Sequence, residues 1–256
     1  MGFNPIIFVA GMPRSGSMWT YNVCRKLIQA AGKTPWPDSV PLDETPVIQE
    51  ALSRPPAPDQ MYCIKTHFQV PVGQEHMRII CNYRDIRDAM LSYMRFMKCS
   101  FEKGLSVAKG SMSLTDHYLR SRHPHVLPVC YDALTLKPQE TIRDLMGFLS
   151  LRVKESDIEA IALEFSREEV ARRLKKLESV ELDNNGNVQS ESGSAEYSSA
   201  QNLDGSFRVY DHATGFQTNH ISSGRDGEWR SVLSGEEQAE LMAATSEWLA
   251  RYGFRL

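Results

Sequence analysis

The chain is most constrained near its start, where an apolar run over residues 6–10 breaks into Gly11-Met-Pro-Arg-Ser-Gly16 and passes at once into an amphipathic stretch from Ser17 to Ala31. A short buried strand that turns through two glycines directly into a helix is the opening of an α/β unit, and it commits the following chain to laying further strands beside the first. A helix N-terminus presents unpaired N–H groups and the positive end of its dipole, so a turn of this kind is suited to hold a phosphate. Gly11 and Gly16 let the backbone approach an anion without a Cβ in the way. Arg14 adds a permanent cation, and Ser15 and Ser17 add hydroxyl donors. The pattern approaches the Walker loop G-x-x-x-x-G-K-S/T, but Ser17 stands where the lysine belongs. Taken alone, the segment also fits an ordinary strand-to-helix turn.

The rest of the chain continues in the same manner. Residues 60–68, 76–83 and 126–134 read as strands, and 86–98 and 114–120 as helices between them. A helix follows Pro138, with Ile142, Leu145, Met146 and Leu149 on one face, and another closes the chain over residues 234–252. This alternation predicts an α/β fold with a central, mainly parallel β-sheet flanked by helices. Residues 181–205 are rich in Asn, Ser, Gly, Asp and Glu and read as a long surface loop. The wider span 181–218 is expected to be either a mobile lid over a site or a tolerated insertion.

With a formal charge of -3, nothing global favours nucleic acid or an anionic membrane as partner, so a basic anion site must be local. The five cysteines are scattered, odd in number and without metal-ligand spacing, which points to a reducing, cytoplasmic setting. No run is long enough to span a bilayer or to serve as a signal peptide.

Further segments carry chemistry. In Met61-Tyr-Cys-Ile-Lys-Thr-His67, period-2 alternation puts Lys65 and His67 on one face at the end of a strand. The carboxyl ends of parallel strands are where open α/β sheets place their sites, and a histidine there can act as a general base. It also fits a histidine that merely hydrogen-bonds the next loop. In the segment from Arg78 to Ser92, Asp85 is a natural N-cap, and Arg84 with Ser92 could grip one phosphate group. The same charges could form a solvated ion-pair cluster, and Asp85 could be read as a magnesium ligand, although no Walker lysine accompanies it. Near the end, Ile221-Ser-Ser-Gly-Arg-Asp-Gly-Glu-Trp229 is a polar turn suited to an anion, or a loop anchored by its tryptophan.

Together these segments resemble the sulfotransferase family that uses 3′-phosphoadenosine 5′-phosphosulfate (PAPS). Pro13-Arg-Ser-Gly-Ser-Met-Trp19 resembles the family's 5′-phosphosulfate loop, and Lys65-Thr-His67 the element that carries its base. Tyr83-Arg-Asp-Ile-Arg-Asp88 through Ser92 is similar to the 3′-phosphate strand and helix, and Tyr131-Asp-Ala-Leu134 to the family's Tyr-Glu-Asp-Leu segment. Gly224 to Trp229 resembles the late glycine–tryptophan loop, where Ser222-Ser-Gly224 and Arg225 replace the usual Arg-Lys-Gly.

The resemblance implies a single P-loop-like domain over 1–256 and metal-independent transfer of a sulfuryl group to an acceptor hydroxyl. It implies His67, Lys65 and Arg14 as the catalytic set. As cofactor-binding residues it implies Arg14, Ser15, Gly16, Ser17, Met18, Trp19, Arg84, Ser92, Tyr131, Phe165, Ser223, Gly224 and Arg225, with Trp19 or Phe165 near the adenine. The acceptor would be the hydroxyl of a small molecule, glycan or lipid, and a homodimer is left open. The rivals are a P-loop ATP-dependent kinase and a non-catalytic nucleotide-binding protein. The acceptor pocket is expected from loops at 33–58, 96–109 and 181–218, with Met94, Phe96, Met97 and Phe101 either lining it or packing helices.

Overall fold

The computed structural model describes residues 5–189, 196–221 and 225–256. Five strands, β1 (Ile6–Gly11), β2 (Thr34–Trp36), β3 (Gln60–Thr66), β4 (Met77–Tyr83) and β5 (Val126–Cys130), form one sheet in the order β2-β3-β1-β4-β5. Every pairing within it is parallel. Such a sheet is covered on both faces, and β1 shows why its sequence is apolar throughout. Ile7 and Val9 join one core cluster with α1 (Ser17–Ala30), whereas Ile6, Phe8 and Ala10 join another on the opposite face.

Helices α6 (Pro138–Phe148), α7 (Glu155–Glu164) and α8 (Arg167–Glu178) share the first face with α1. A third cluster joins α3 (Ile86–Met97), α4 (Phe101–Leu119) and α10 (Gly235–Arg251) around Met12, Trp229 and Trp248. The remaining helices are α2 (Thr45–Ser53), α5 (Tyr131–Leu136) and α9 (Trp229–Val232). No helix among the described residues is long and apolar enough to cross a membrane.

The strand order places the reversal of direction beside β1. From β1 the chain builds β2 and β3 on one side and then crosses to β4 on the other, and the crevice at such a switch point is where open α/β sheets bind ligands. Register sharpens this, since Ala10 pairs with Thr66 and Gly11 with Asn82. Gly11, His67 and Arg84 therefore leave the sheet at nearly the same level.

The structure departs from the sequence reading in several places. Residues 131–134 are not strand: β5 ends at Cys130 and α5 begins, which buries Leu134 under Gly16. Residues 101–109 are not loop but the first half of α4, capped by the Ser100 hydroxyl, which accepts from the Lys103 N–H. The 33–58 segment contains β2 and α2 rather than loop alone. The surface-loop reading of 181–205 holds only in part, because β6 (Tyr197–Gln201) pairs antiparallel with β7 (Phe207–Asp211) as a hairpin. That hairpin buries Val209 and Tyr210 against the main core, and the Tyr210 hydroxyl donates to the Val40 carbonyl at 2.9 Å. Residues 190–195 of that span lie outside the described residues.

Candidate active site

The loop between β1 and α1 is held open by backbone geometry. Gly16 is left-handed (φ 83°), and a Cβ there would sit 2.7 Å from Leu134 Cδ2. A Cβ on Gly11 would lie 2.4 Å from the Asn82 carbonyl oxygen, so β1 and β4 can approach only through a glycine. Ser15 Oγ donates to the Met12 carbonyl at 2.6 Å and closes the turn. Asn82 Nδ2 donates to Thr20 Oγ1 at 2.8 Å and ties β4 to α1. The α1 N-terminus has no side-chain cap and no acidic residue in its first turn, unlike α10 with its complete capping box. Its donors and positive dipole end face the loop uncompensated.

Three cationic side chains approach this end of the sheet. Arg14, itself at positive φ (67°), donates through Nε to Ser92 Oγ at 3.0 Å and through Nη2 to the His220 carbonyl. Its guanidinium lies over the Phe96 ring, 4.4 Å from the centroid. Lys65 Nζ lies 2.7 Å from His67 Nε2. Arg84 is buried, stacks on Tyr131 at 4.0 Å and meets the exposed Asp226 carboxylate at 3.4 Å.

His67 has a definite tautomer. Its Nδ1 is 2.7 Å from the Gly11 carbonyl, which can only accept, so Nδ1 carries the proton and Nε2 keeps its lone pair. Burial, with the nearby Lys65 charge second, pulls the His67 pKa down to about 3 and keeps the ring neutral. Burial also lowers the Lys65 pKa to about 8, with Glu44 opposing. At neutral pH a mainly protonated Lys65 thus donates to the free nitrogen of a neutral histidine. Glu44 Oε1 also accepts from the His67 backbone N–H at 3.1 Å, which fixes the strand end.

Ser17 and Met18 are buried at the start of α1, and the Trp19 indole N–H donates to the Phe165 carbonyl at 3.0 Å. The Phe165 ring is buried in the core, with Arg173 over it at 5.5 Å. Arg225 lines a cleft with Arg84, Ser92, Arg95, Asp88 and Glu228. Asp88 holds this edge by accepting from the Gly227 N–H at 3.0 Å. Ser223 and Gly224, expected at the same site, lie outside the described residues, as does Ser222.

Sequence reasoning missed Glu44, His220 and Arg208. His220 follows the hairpin, and burial together with Arg14, Lys65 and Arg208 holds its pKa well below the usual histidine range. Only its nearness to the late polar turn could have drawn notice. Arg208 sits in the segment read as a loop.

A model of the sulfotransferase domain matches residues 4–253, and the chain belongs to that family. Solved structures share the fold at low identity. A mouse sulfotransferase complexed with PAP matches at 16% identity with a TM-score of 0.61, over 96% of this chain and 84% of that one. Retinol dehydratase in complex with androsterone and the inactive cofactor PAP matches at 15% identity with a TM-score of 0.60, over 97% and 82%. A search of curated proteins found no match.

Proposed function

We propose that the chain transfers a sulfuryl group from PAPS to an acceptor hydroxyl, with His67 as general base. The observation that carries this reading is the neutral His67, its proton pinned at Nδ1 by the Gly11 carbonyl and its Nε2 facing Lys65, at the mouth of an uncapped, arginine-bearing loop. A bare nucleotide binder has no need of such a base. The donor set fits a cofactor with two separate anionic groups, because the N–H groups at Ser15 to Trp19 and the Arg14 and Arg84 guanidiniums offer charge-assisted donors.

PAPS supplies an activated sulfuryl group on a phosphosulfate anhydride; the remaining work belongs to this chain's own residues. His67 Nε2 accepts the acceptor's hydroxyl proton once Lys65 Nζ turns from it toward the sulfonate. Arg14, Lys65 and the α1 N-terminus stabilise the negative charge that grows on the departing side, an effect for which removing one donor typically costs ~10²–10³ in rate. Arg84 and Ser92 hold the 3′-phosphate, with Arg225 on the same cleft; Ser223 and Gly224 are assigned to it by the family resemblance alone. Tyr131 lies under Arg84, and Trp19 borders the adenine, with Phe165 fixing the indole through its carbonyl. The fit to a cytoplasmic role rests on the cysteine pattern alone.

Calorimetric titration with adenosine 3′,5′-bisphosphate (PAP), with and without magnesium, tests the cofactor assignment. Tight, magnesium-independent binding is expected, and a preference for ATP with magnesium refutes it. H67A is expected to bind PAP as the parent does and to lose turnover with saturating PAPS. Near-normal turnover would exclude His67 as the base.

A further inference from the structure

Arg14, Arg25 and Arg78 bond only neutral acceptors, whereas Arg84, Arg87, Arg143 and Arg173, buried or half-buried like them, face a carboxylate. Arg208 on β7 does not. Its residual exposure is 5%, and its acceptors are all neutral: Gln217 Oε1 at 2.8 Å from Nε, and Asn202 Oδ1 and the Gln201 carbonyl for Nη1. No described residue accepts from Nη2. Arg25 also lacks a carboxylate, but it spends both terminal nitrogens on the Pro37 and Asp38 carbonyls and ties down a loop. Nη2 keeps access to solvent, so a nearly enclosed guanidinium without a counter-charge can be met from outside by an anion.

Its position says where that anion would come from. Arg14 reaches Ser92 on one side and the His220 carbonyl on the other. Phe96 lies one helical turn beyond Ser92 on α3, and the Arg14 and Arg208 guanidiniums both lie over its ring, at 4.4 and 4.6 Å. Arg84 and Arg208 are thus both electrostatic neighbours of Arg14, and Arg14 and Arg208 meet at the Phe96 ring. His220 stands edge-on between Phe96 and Phe216, at 5.7 and 5.5 Å, and its buried Nδ1 has no hydrogen-bond partner.

Resting on the sulfotransferase reading, we propose that Arg208, with Phe96 and His220, forms a subsite for an anionic oxyacid group of the acceptor. The chain then sulfates hydroxyl compounds that already carry a carboxylate, phosphate or sulfate. The Arg208 guanidinium takes that group through Nη2, His220 Nδ1 contacts its rim, and the hydroxyl is left facing His67. The hairpin is in this respect a specificity element, and its Asn202 and Gln217 hold the arginine in place.

The test uses pairs of acceptors matched except for charge: 4-hydroxyphenylacetate against 4-hydroxyphenylacetamide, and 4-hydroxybutyrate against 4-hydroxybutanamide, with labelled PAPS. The parent protein should favour the charged member of at least one pair about tenfold or more in kcat/KM, the size of a charge-assisted hydrogen bond. R208Q should bring the charged member down to its neutral partner while PAP affinity, read by calorimetry, stays within about twofold. R208K, which keeps the charge, should retain the preference and decides the matter if R208Q fails to fold. Equal use of both members of each pair, or no turnover of the charged ones, overturns the proposal. A parallel loss of PAP affinity in R208Q overturns it too, by assigning Arg208 to the cofactor. Failure of the parent protein to bind PAP would instead strike at the sulfotransferase reading itself.

Discussion

Replacing Lys65 by methionine should make this protein more stable and inactive together. Burial lowers the Lys65 pKa from 10.5 to about 8, so the folded state holds this charge against its preference. At about 1.4 kcal/mol per pH unit the penalty is about 3 kcal/mol, reduced to about 2 because the side chain is only half-buried and partly screened. Methionine removes that penalty but also removes the Nζ donor from His67 Nε2, a loss of about 1 kcal/mol. A net gain of about 1 kcal/mol is expected at pH 7. The sign follows from linkage: below pH 8 both folded and unfolded chains hold the proton and the penalty is complete, whereas above 10.5 neither does and it vanishes. Urea unfolding at a series of pH values should therefore show K65M ahead at pH 7, level near pH 9 and behind by pH 10. Turnover should fall by ~10² or more across the range. A variant less stable than the parent at pH 7, or an advantage that does not change with pH, refutes the reasoning.

Other consequences can be checked as directly. Because His67 stays neutral down to about 3 and Lys65 loses its charge above about 8, kcat/KM should be flat between pH 5 and 7 and decline above 8. An acid limb near 6.5 would mean that His67 is solvated rather than held. G16A must take a left-handed conformation and press on Leu134, so it should lose about 2–4 kcal/mol in thermal unfolding and weaken PAP binding at calorimetry. Y210F leaves the buried Val40 carbonyl without its donor and should cost about 1–2 kcal/mol in urea unfolding, with PAP affinity retained.

The parts of this molecule legible in sequence were those whose geometry is local. Gly11 to Trp19 reads as strand, turn and helix because the residues that bend the chain and those that begin the helix are adjacent, and α1 starts at the expected Ser17. Lys65 and His67 share a face by simple alternation. The hairpin carries a turn signal of its own: Asp204-Gly205 sits between Tyr197-Ser-Ser-Ala-Gln201 and Phe207-Arg-Val-Tyr210. The polar composition upstream, from Glu181, outweighed that turn. The helical start of α4 was obscured by Gly104, which is there because Met94 of α3 leaves no room for a Cβ.

By itself, then, the sequence determined the strand–turn–helix from Gly11 to Trp19, the parallel α/β order and the shared face of Lys65 and His67, since each depends on residues within a strand or a turn of one another. Only the tertiary structure decided which nitrogen of His67 carries the proton, because that follows from the register setting its Nδ1 against the Gly11 carbonyl, 56 positions away. It likewise decided that Arg14 joins Ser92 to His220 and that Arg208 lies over Phe96 among neutral acceptors. Those contacts join residues far apart in the chain, and the burial that comes with them is what keeps His67 neutral and leaves Arg208 without a counter-charge.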